Sequence, residues 1–366
     1  MKLKRTFYLL GLIVLIALTV ITSSCSKKLS PKVLAKKETK SKQKTANQKP
    51  QKPSAPADPA QETFGKKIVS LTKIKSVPVP VGPKSIEMVP GGKHVLVNSL
   101  YANKVELIDT KTFKIVKTIP VPGEPVEASF TKKGKLAWVA MYNAQKVVVI
   151  DLQKGDITEE IPVGVIPKEV KASPDEKWVY VSNWNSNSVS VLEGQSFKRL
   201  KDISVGRIPR GVVFTPNGKY AYVTNMGGTT LSKIDVRKDH QVISSIYVGS
   251  NPRHLVTTKD GRYLYLSSNA LNKVQKIDTT TDKVVAAAAV GKQPRTVELA
   301  PNQKFLFVCN NLDNNVGVID AETMTQIFTV KTGIHPIGAT VSPDGKRLWV
   351  SNYRDSTIYI YDVNYK

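Results

Sequence analysis

Short apolar runs alternate with polar positions from residue 81 to residue 362, and turn residues separate the runs. In the unit that begins at Gly206, residues 220–224 alternate, and Pro216, Asn217 and Gly218 form a tight-turn signal between the first two runs. A period of two over a few residues is typical of half-buried β-strands. The pattern predicts four strands in this unit, over residues 211–215, 220–224, 230–235 and 242–248.

The same unit occurs seven times along the chain. The leading glycines lie 41 to 43 residues apart, a proline follows each of them closely, and an acidic residue closes each third strand. The glycines are Gly82, Gly123, Gly164, Gly206, Gly249, Gly291 and Gly333, and the acidic residues are Asp109, Asp151, Glu193, Asp235, Asp278, Asp320 and Asp362. A period near 42 residues that contains only strand-like segments indicates a propeller with four strands per blade. The sequence therefore predicts an all-β, seven-bladed β-propeller.

The two ends of the repeat array predict how the ring closes. Only four residues follow Asp362, too few for a fourth strand in the seventh unit. Residues 67–79, upstream of the first unit, resemble the fourth strand at residues 114–121. Because closure removes exposed strand edges, we expect this N-terminal strand to complete the seventh blade. Residues 66–366 then form one closed domain.

Residues 1–24 have the organisation of a secretory signal peptide. Lys2, Lys4 and Arg5 precede an apolar run at residues 7–21, and small polar residues follow it up to Cys25. A charged start, an apolar stretch and a small-residue cleavage site are the three parts of such a signal. The apolar run is shorter than the roughly 20 residues that a membrane-spanning helix needs.

The end of this segment resembles a lipoprotein signal, which implies cleavage before Cys25 and lipidation of its thiol. Thr22 stands where most lipoproteins have leucine, and the alternative is ordinary cleavage nearby, which releases a soluble protein. Ser26 replaces the aspartate that suggests inner-membrane retention, so the resemblance implies a lipid-anchored protein of the cell envelope, at the outer membrane. Several acyl chains give stable anchoring.

Composition and charge separate a linker from the folded part. Residues 25–65 are rich in Lys, Gln, Ser and Pro and contain few large apolar residues, which predicts a disordered tether. The chain has a formal net charge of +25, and an excess of fifteen positive charges lies in residues 66–366. The folded part is therefore basic in its own right, which favours anionic partners or surfaces.

The second strand of several units resembles the signature of the YVTN-repeat (YncE-like) family of β-propellers. The matching segments are residues 180–183, 222–225 and 349–352, and the turn motif of the family precedes two of them, at residues 173–175 and 342–346. All seven units fit, so the resemblance covers the whole folded part. It implies the propeller fold, and it leaves three functions open: a binding module, a nucleic-acid-binding propeller, and a lactonase or redox-accessory propeller.

No catalytic constellation stands out in the sequence. His94, His240, His254 and His335 have no regular spacing, and the Cys and His cluster that zinc requires is missing. Cys309 lies in an apolar strand and is expected to be a core residue. Some propellers are hydrolases with acidic residues that converge on the channel, whereas the channel-mouth positions here are basic. We therefore expect no enzyme, no metal and no cofactor.

The residue after each loop proline is the candidate for ligand binding. It is cationic in five units and apolar in the two others, Val126 and Ile337. In a propeller this position begins the innermost strand, so the cations either surround the mouth of the central channel or extend outward into solvent. Arginine suits bidentate contact with carboxylate or phosphate. The five cations are Lys84, Lys168, Arg210, Arg253 and Arg295.

The loops after the second strands are expected at the same face. They contribute Tyr142, Trp184 and Tyr353 as candidate contacts, beside Asn183, Asn225, Asn310 and Asn352, which we expect to cap the loops. Aromatic groups beside cations suit a glycan, a nucleic acid or an acidic protein segment. The sequence thus predicts a monomeric, non-enzymatic envelope module that binds a protein or anionic ligand at this face.

Overall fold

The structure is a computed structural model that describes residues 63 and 65–366 of the chain. Its strands form seven antiparallel sheets of four strands each. They are β1 (Ile68–Pro78), β2 (Pro83–Met88), β3 (His94–Ser99), β4 (Lys104–Asp109), β5 (Ile115–Pro120), β6 (Pro125–Thr131), β7 (Leu136–Met141), β8 (Lys146–Asp151), β9 (Asp156–Pro162), β10 (Pro167–Ala172), β11 (Trp178–Asn183), β12 (Ser188–Glu193), β13 (Arg199–Ser204) and β14 (Pro209–Phe214). The chain continues with β15 (Tyr220–Asn225), β16 (Thr230–Asp235), β17 (Gln241–Tyr247), β18 (Pro252–Thr257), β19 (Tyr263–Ser268), β20 (Lys273–Asp278), β21 (Lys283–Ala289), β22 (Pro294–Leu299), β23 (Phe305–Asn310), β24 (Asn315–Asp320), β25 (Thr325–Lys331), β26 (Pro336–Val341), β27 (Arg347–Asn352) and β28 (Thr357–Tyr365). Short 3₁₀ turns lie at Leu100–Ala102, Lys132–Gly134 and Asn269–Leu271.

Each sheet is one blade, and the first strand of each repeat is the innermost. Blades 1 to 6 follow the chain order from inside to outside, as in β10-β11-β12-β13 for blade 3. The inner strands lie beside one another around the axis, and β26 of blade 7 packs against β2 of blade 1. The predicted seven-bladed, all-β propeller is confirmed.

The N-terminal strand completes blade 7, as the sequence predicts. β1 pairs antiparallel with β28 over almost its whole length, from Ile68 opposite Tyr365 to Pro78 opposite Thr357. Two backbone bonds join Lys67 and Lys366 at the end of this ladder, with N···O distances of 3.0 and 2.9 Å. The first and last parts of the folded chain are thus held in the same sheet.

The hydrophobic core lies between the blades. Alternate residues of a strand point to opposite faces, and both faces of each blade pack against a neighbour. One cluster joins Val191 of blade 3 to Phe214 and Ile234 of blade 4, and the others join adjacent blades in the same way. Cys309 is fully buried in such a cluster, and burial raises the pKa of its thiol. It is the core residue that the sequence predicts.

Every inner strand contains a β-bulge directly after its first proline. In β10 the pairing passes from Pro167 opposite Asn183 to Glu169 opposite Ser182, so Lys168 is an extra residue. A bulge places two residues of one strand against one of its partner and changes the direction of its side chains. Two consecutive side chains, instead of alternate ones, can then approach the central axis.

Among residues 63 and 65–366, no helix is long and apolar enough to cross a membrane. The predicted signal peptide, Cys25 and most of the predicted tether lie outside the described residues.

Candidate functional site

The repeated glycine and asparagine build the loops around the channel mouth. The Nδ2 of Asn183 donates to the hydroxyls of Ser188 and Ser190 at 3.2 and 3.0 Å, and Asn183 is fully buried. A Cβ atom on Gly164 would lie 2.6 Å from the Cγ of Asn183, so a side chain at this position would collide with the asparagine. The loop that carries Gly164 therefore packs directly against the buried Asn183.

All five predicted cations lie at the start of the innermost strands. Lys168, Arg210 and Arg253 are only 7%, 4% and 6% exposed, and Lys84 and Arg295 are half buried. For Lys168, Arg210 and Arg253, the alternative that the side chains extend into solvent is wrong. Burying a cation is costly unless it finds partners, so the surroundings of each one decide what the site can do.

Arg210 forms a buried ionic triad with two glutamates that the sequence analysis missed. Its Nη1 donates to Glu169 at 2.9 Å and its Nη2 donates to Glu127 at 2.6 Å. Burial lowers the pKa of Arg210, but the two carboxylates outweigh this effect and the pKa is raised. Burial, and then the charge of Glu127, raise the pKa of Glu169 to about 8. Arg210 is thus already paired within the chain.

Acidic side chains also converge on the channel, at positions beside the basic ones that the sequence predicts. Glu127 and Glu169 stand one residue after the expected mouth position, where the bulge turns them toward the axis. Two more glutamates, Glu87 and Glu298, follow further along the inner strands. Burial raises the pKa of Glu87 well above its usual range and that of Glu298 to about 7, against the opposing effect of Lys171. The signal was in the sequence, because a glutamate follows two residues after Pro125 and Pro167.

Lys168 lies between two of the predicted aromatic residues. Its Nζ is 3.7 Å from the ring centroid of Tyr142 and 4.0 Å from that of Trp184. Burial, followed by the charges of Arg210 and Arg253, lowers the pKa of Lys168 to about 6, whereas cation–π contacts with the two rings favour its ammonium form. The structure thus brings three predicted residues together, and they contact one another.

Arg253 and Arg295 have only neutral partners among the described residues. The Nη1 of Arg253 lies 3.6 Å from the sulfur of Met226. The Nη2 of Arg295 donates to Gln293 at 3.1 Å and to Asn311 at 3.4 Å, and its Nε is buried without a partner. Burial lowers the pKa of both arginines, and their mutual repulsion lowers that of Arg253 further. These two guanidinium groups therefore keep N–H donors that no described residue accepts.

Tyr353 and Tyr101 form an aromatic pair beside these arginines. The hydroxyl of Tyr353 donates to that of Tyr101 at 2.7 Å, and the ring centroids are 5.8 Å apart. Tyr101 is 60% exposed, and the Nζ of Lys84 lies 5.7 Å from the Tyr353 ring centroid. Burial, and then Arg253, lower the pKa of Lys84. The predicted contact Tyr353 thus lies at the mouth, and Tyr101 joins it as part of one surface.

His254 also lies at the channel. Its Nδ1 accepts a hydrogen bond from the backbone N–H of Val297 at 3.4 Å, and burial lowers its pKa to about 3. The side chain is therefore neutral at physiological pH. Within the described part of the chain, no three His, Cys, Asp or Glu side chains are grouped so that they could hold a metal ion.

Comparisons with known proteins agree with the fold. The family model of YNCE-like β-propellers matches residues 124–301, and that of the seven-bladed β-propeller lactonases matches residues 237–366. A solved structure of hydrazine synthase from Kuenenia stuttgartiensis is 22% identical, with a TM-score of 0.72 over 80% of this chain and 98% of that chain. At this identity, the likeness shows the fold alone. No curated protein matches the chain.

Proposed function

We propose that this chain, a seven-bladed β-propeller with YNCE-like repeats, is a non-enzymatic binding module for an anionic ligand. The ligand is either a separate molecule or an acidic segment of a partner protein. The ligand binds at the channel mouth, and a lipid on Cys25 holds the module at the cell envelope. One observation carries the proposal. Of the five cations at the mouth, only Arg210 has a carboxylate partner among the described residues.

The physical reason is the cost of keeping cations close together and out of water. An unpaired buried charge loses several kcal/mol of solvation. Lys84, Arg253 and Arg295 are buried or half buried, and none of them forms an ion pair with a described carboxylate. An anion that enters the mouth supplies the missing partner, and the reduced exposure strengthens the attraction.

The test is equilibrium binding of three anionic probes to the full chain at increasing salt: a heparin oligosaccharide, a single-stranded oligonucleotide and an acidic peptide. A variant with Lys84, Arg253 and Arg295 all replaced by Met should lose most of the affinity. A second variant, with the exposed Lys111, Lys154 and Lys238 replaced by Met, removes the same charge from turns away from the mouth.

Equal losses in the two variants would reduce the attraction to a general effect of net charge and would overturn the proposal. Affinity that falls steeply with salt is expected for a polyanion. Tight binding of the acidic peptide at high salt would favour a protein partner, and preference for the oligonucleotide would favour nucleic acid.

A hydrolytic function is the second candidate, because the lactonase family model matches residues 237–366 and because four glutamates lie along the inner strands. Glu298 in its protonated form could act as a general acid. The assay is hydrolysis of a simple lactone by the full chain and by Glu298→Gln. Turnover above the buffer rate that Glu298→Gln abolishes would replace the binding proposal with this one.

Anchoring at the envelope has its own test. The full chain and Cys25→Ala are expressed in a bacterial host with a radiolabelled fatty acid. Label on the wild-type chain and its absence from Cys25→Ala would support lipidation. An unlabelled wild-type chain that is released after cleavage would overturn it.

A further inference from the structure

The channel mouth divides into two halves, in which the cations have different interaction partners. Blades 2 to 4 form the closed half, in which Lys168 lies between two rings and Arg210 pairs with two carboxylates. Blades 5, 6, 7 and 1 form the open half, in which Arg253, Arg295 and Lys84 have no carboxylate partner among the described residues. Glu127 and Glu169 pair with Arg210 and attract Arg253 only from a longer distance, so the open half keeps cationic donors for a ligand.

The arginines of the open half define an anion subsite. Arg253 and Arg295 hold the same position in β18 and β22, the packed inner strands of adjacent blades, so they lie side by side at the mouth. Guanidinium groups bind a carboxylate through two parallel N–H donors. The Nε of Arg295, which is buried and has no partner, is one donor that such a contact would satisfy.

The tyrosine pair defines a neighbouring ring subsite. Asn311, which accepts from Arg295, donates to the carbonyl of Pro336, and the backbone N–H of Tyr353 donates to the carbonyl of His335 next to it. Tyr353 therefore lies in the next blade beside the anion subsite. Tyr101 continues this surface toward solvent with most of its ring exposed. An aromatic ring offers a flat face for stacking, and the phenol hydroxyls can exchange hydrogen bonds with a polar ring substituent.

We infer that the open half binds an acidic sugar, with its carboxylate on Arg253 and Arg295 and its ring against Tyr353 and Tyr101. This inference rests on the proposed function and specifies its ligand. A compact terminal group is favoured over the backbone of a duplex, because Arg253 is only 6% exposed and only an inserted group can contact it. A hydroxylated ring suits the two tyrosine hydroxyls, which are joined at 2.7 Å.

The experiment compares four small probes by titration calorimetry on the full chain. Methyl β-D-glucuronide carries both the ring and the carboxylate, methyl β-D-glucoside carries the ring alone, and acetate and inorganic phosphate carry the anion alone. We expect the glucuronide to bind about tenfold or more tightly than each of the others, since the loss of one charge-assisted contact is worth that factor.

Variants assign the two subsites separately. Arg253→Met and Arg295→Met should each weaken the glucuronide by about tenfold. Tyr353→Leu should weaken the glucuronide and leave acetate unchanged, which a purely structural role of the ring would not do. Lys168→Met, a matched change in the closed half, should weaken the glucuronide less than either arginine variant, because Lys168 acts on the open half only through its charge. Thermal unfolding of each variant reports whether the fold is retained.

The outcomes separate this inference from the proposed function. Equal binding of glucuronide and glucoside, or loss of glucuronide binding in Lys168→Met alone, overturns the acidic-sugar assignment. If phosphate or heparin binds through Arg253 and Arg295 while the glucuronide does not bind, the anion-binding function stands and the sugar assignment fails. If none of the anionic probes binds, both fail.

Discussion

The closed and open halves of the mouth carry cations at the same backbone position, and they differ at the next position of their inner strands. In the closed half the next residues include Glu127 and Glu169, which reach Arg210. In the open half the corresponding residues are His254 and Thr296, which are neutral. A repeated charge therefore does not define a binding site by itself. The neighbouring position decides whether the charge is used inside the fold or is available to a ligand.

The largest expected difference between the halves is in stability. Arg210→Met leaves Glu127 and Glu169 buried without their cation, and breaking a buried ion pair from one side costs about 3–5 kcal/mol. Arg253→Met removes an unpaired buried cation, so the free energy of unfolding should be unchanged or should increase. Urea unfolding of the two variants measures both values. Equal destabilisation would mean that the two halves do not differ in the way proposed.

The repeat explains which parts of this picture could be predicted from the sequence. The blade number, the ring closure by residues 67–79 and the location of Lys84, Lys168, Arg210, Arg253 and Arg295 follow from periodicity, because each copy repeats the same backbone. The pairing of the cations does not follow from it. Arg210 reaches carboxylates 41 and 83 residues away, and such contacts depend on the bulge and on side-chain conformations that no short sequence pattern records.

A pH dependence of stability should come from outside the mouth as well as from the closed half. Glu106 is fully buried in blade 1, where Ser99 donates to its Oε2 at 2.6 Å, and burial raises its pKa to about 7. Blade 5 has the neutral equivalent, in which Ser268 donates to Gln275 at 2.5 Å. An acid whose pKa is higher in the folded state holds its proton longer there, so stability falls as pH rises from about 4.5 to about 7.

Glu106→Gln should therefore stabilise the protein by about 3 kcal/mol at pH 8 and leave it unchanged at pH 4. Urea unfolding at both pH values measures the change. The part of the pH dependence that remains in Glu106→Gln is expected to include Glu169 of the closed half, whose pKa is raised to about 8. Gln275→Glu is the reciprocal change and should introduce the same loss in blade 5. A pH-independent gain in Glu106→Gln would show that Glu106 is ionised throughout.

The smallest effect is expected from a substitution that gives the open half a carboxylate like those of the closed half. Glu169 reaches Arg210 from the preceding blade, and His254 holds the same position relative to Arg295. His254→Glu should therefore place a carboxylate within reach of Arg295 and compete with the ligand, which would weaken anion binding about tenfold. His254→Gln has a similar size without the charge and should leave the affinity unchanged. If both variants bind the anionic probes like the wild type, the residue after the cation does not control access to the open half, and the explanation of the two halves must lie in the loops that carry Met226 and Asn311.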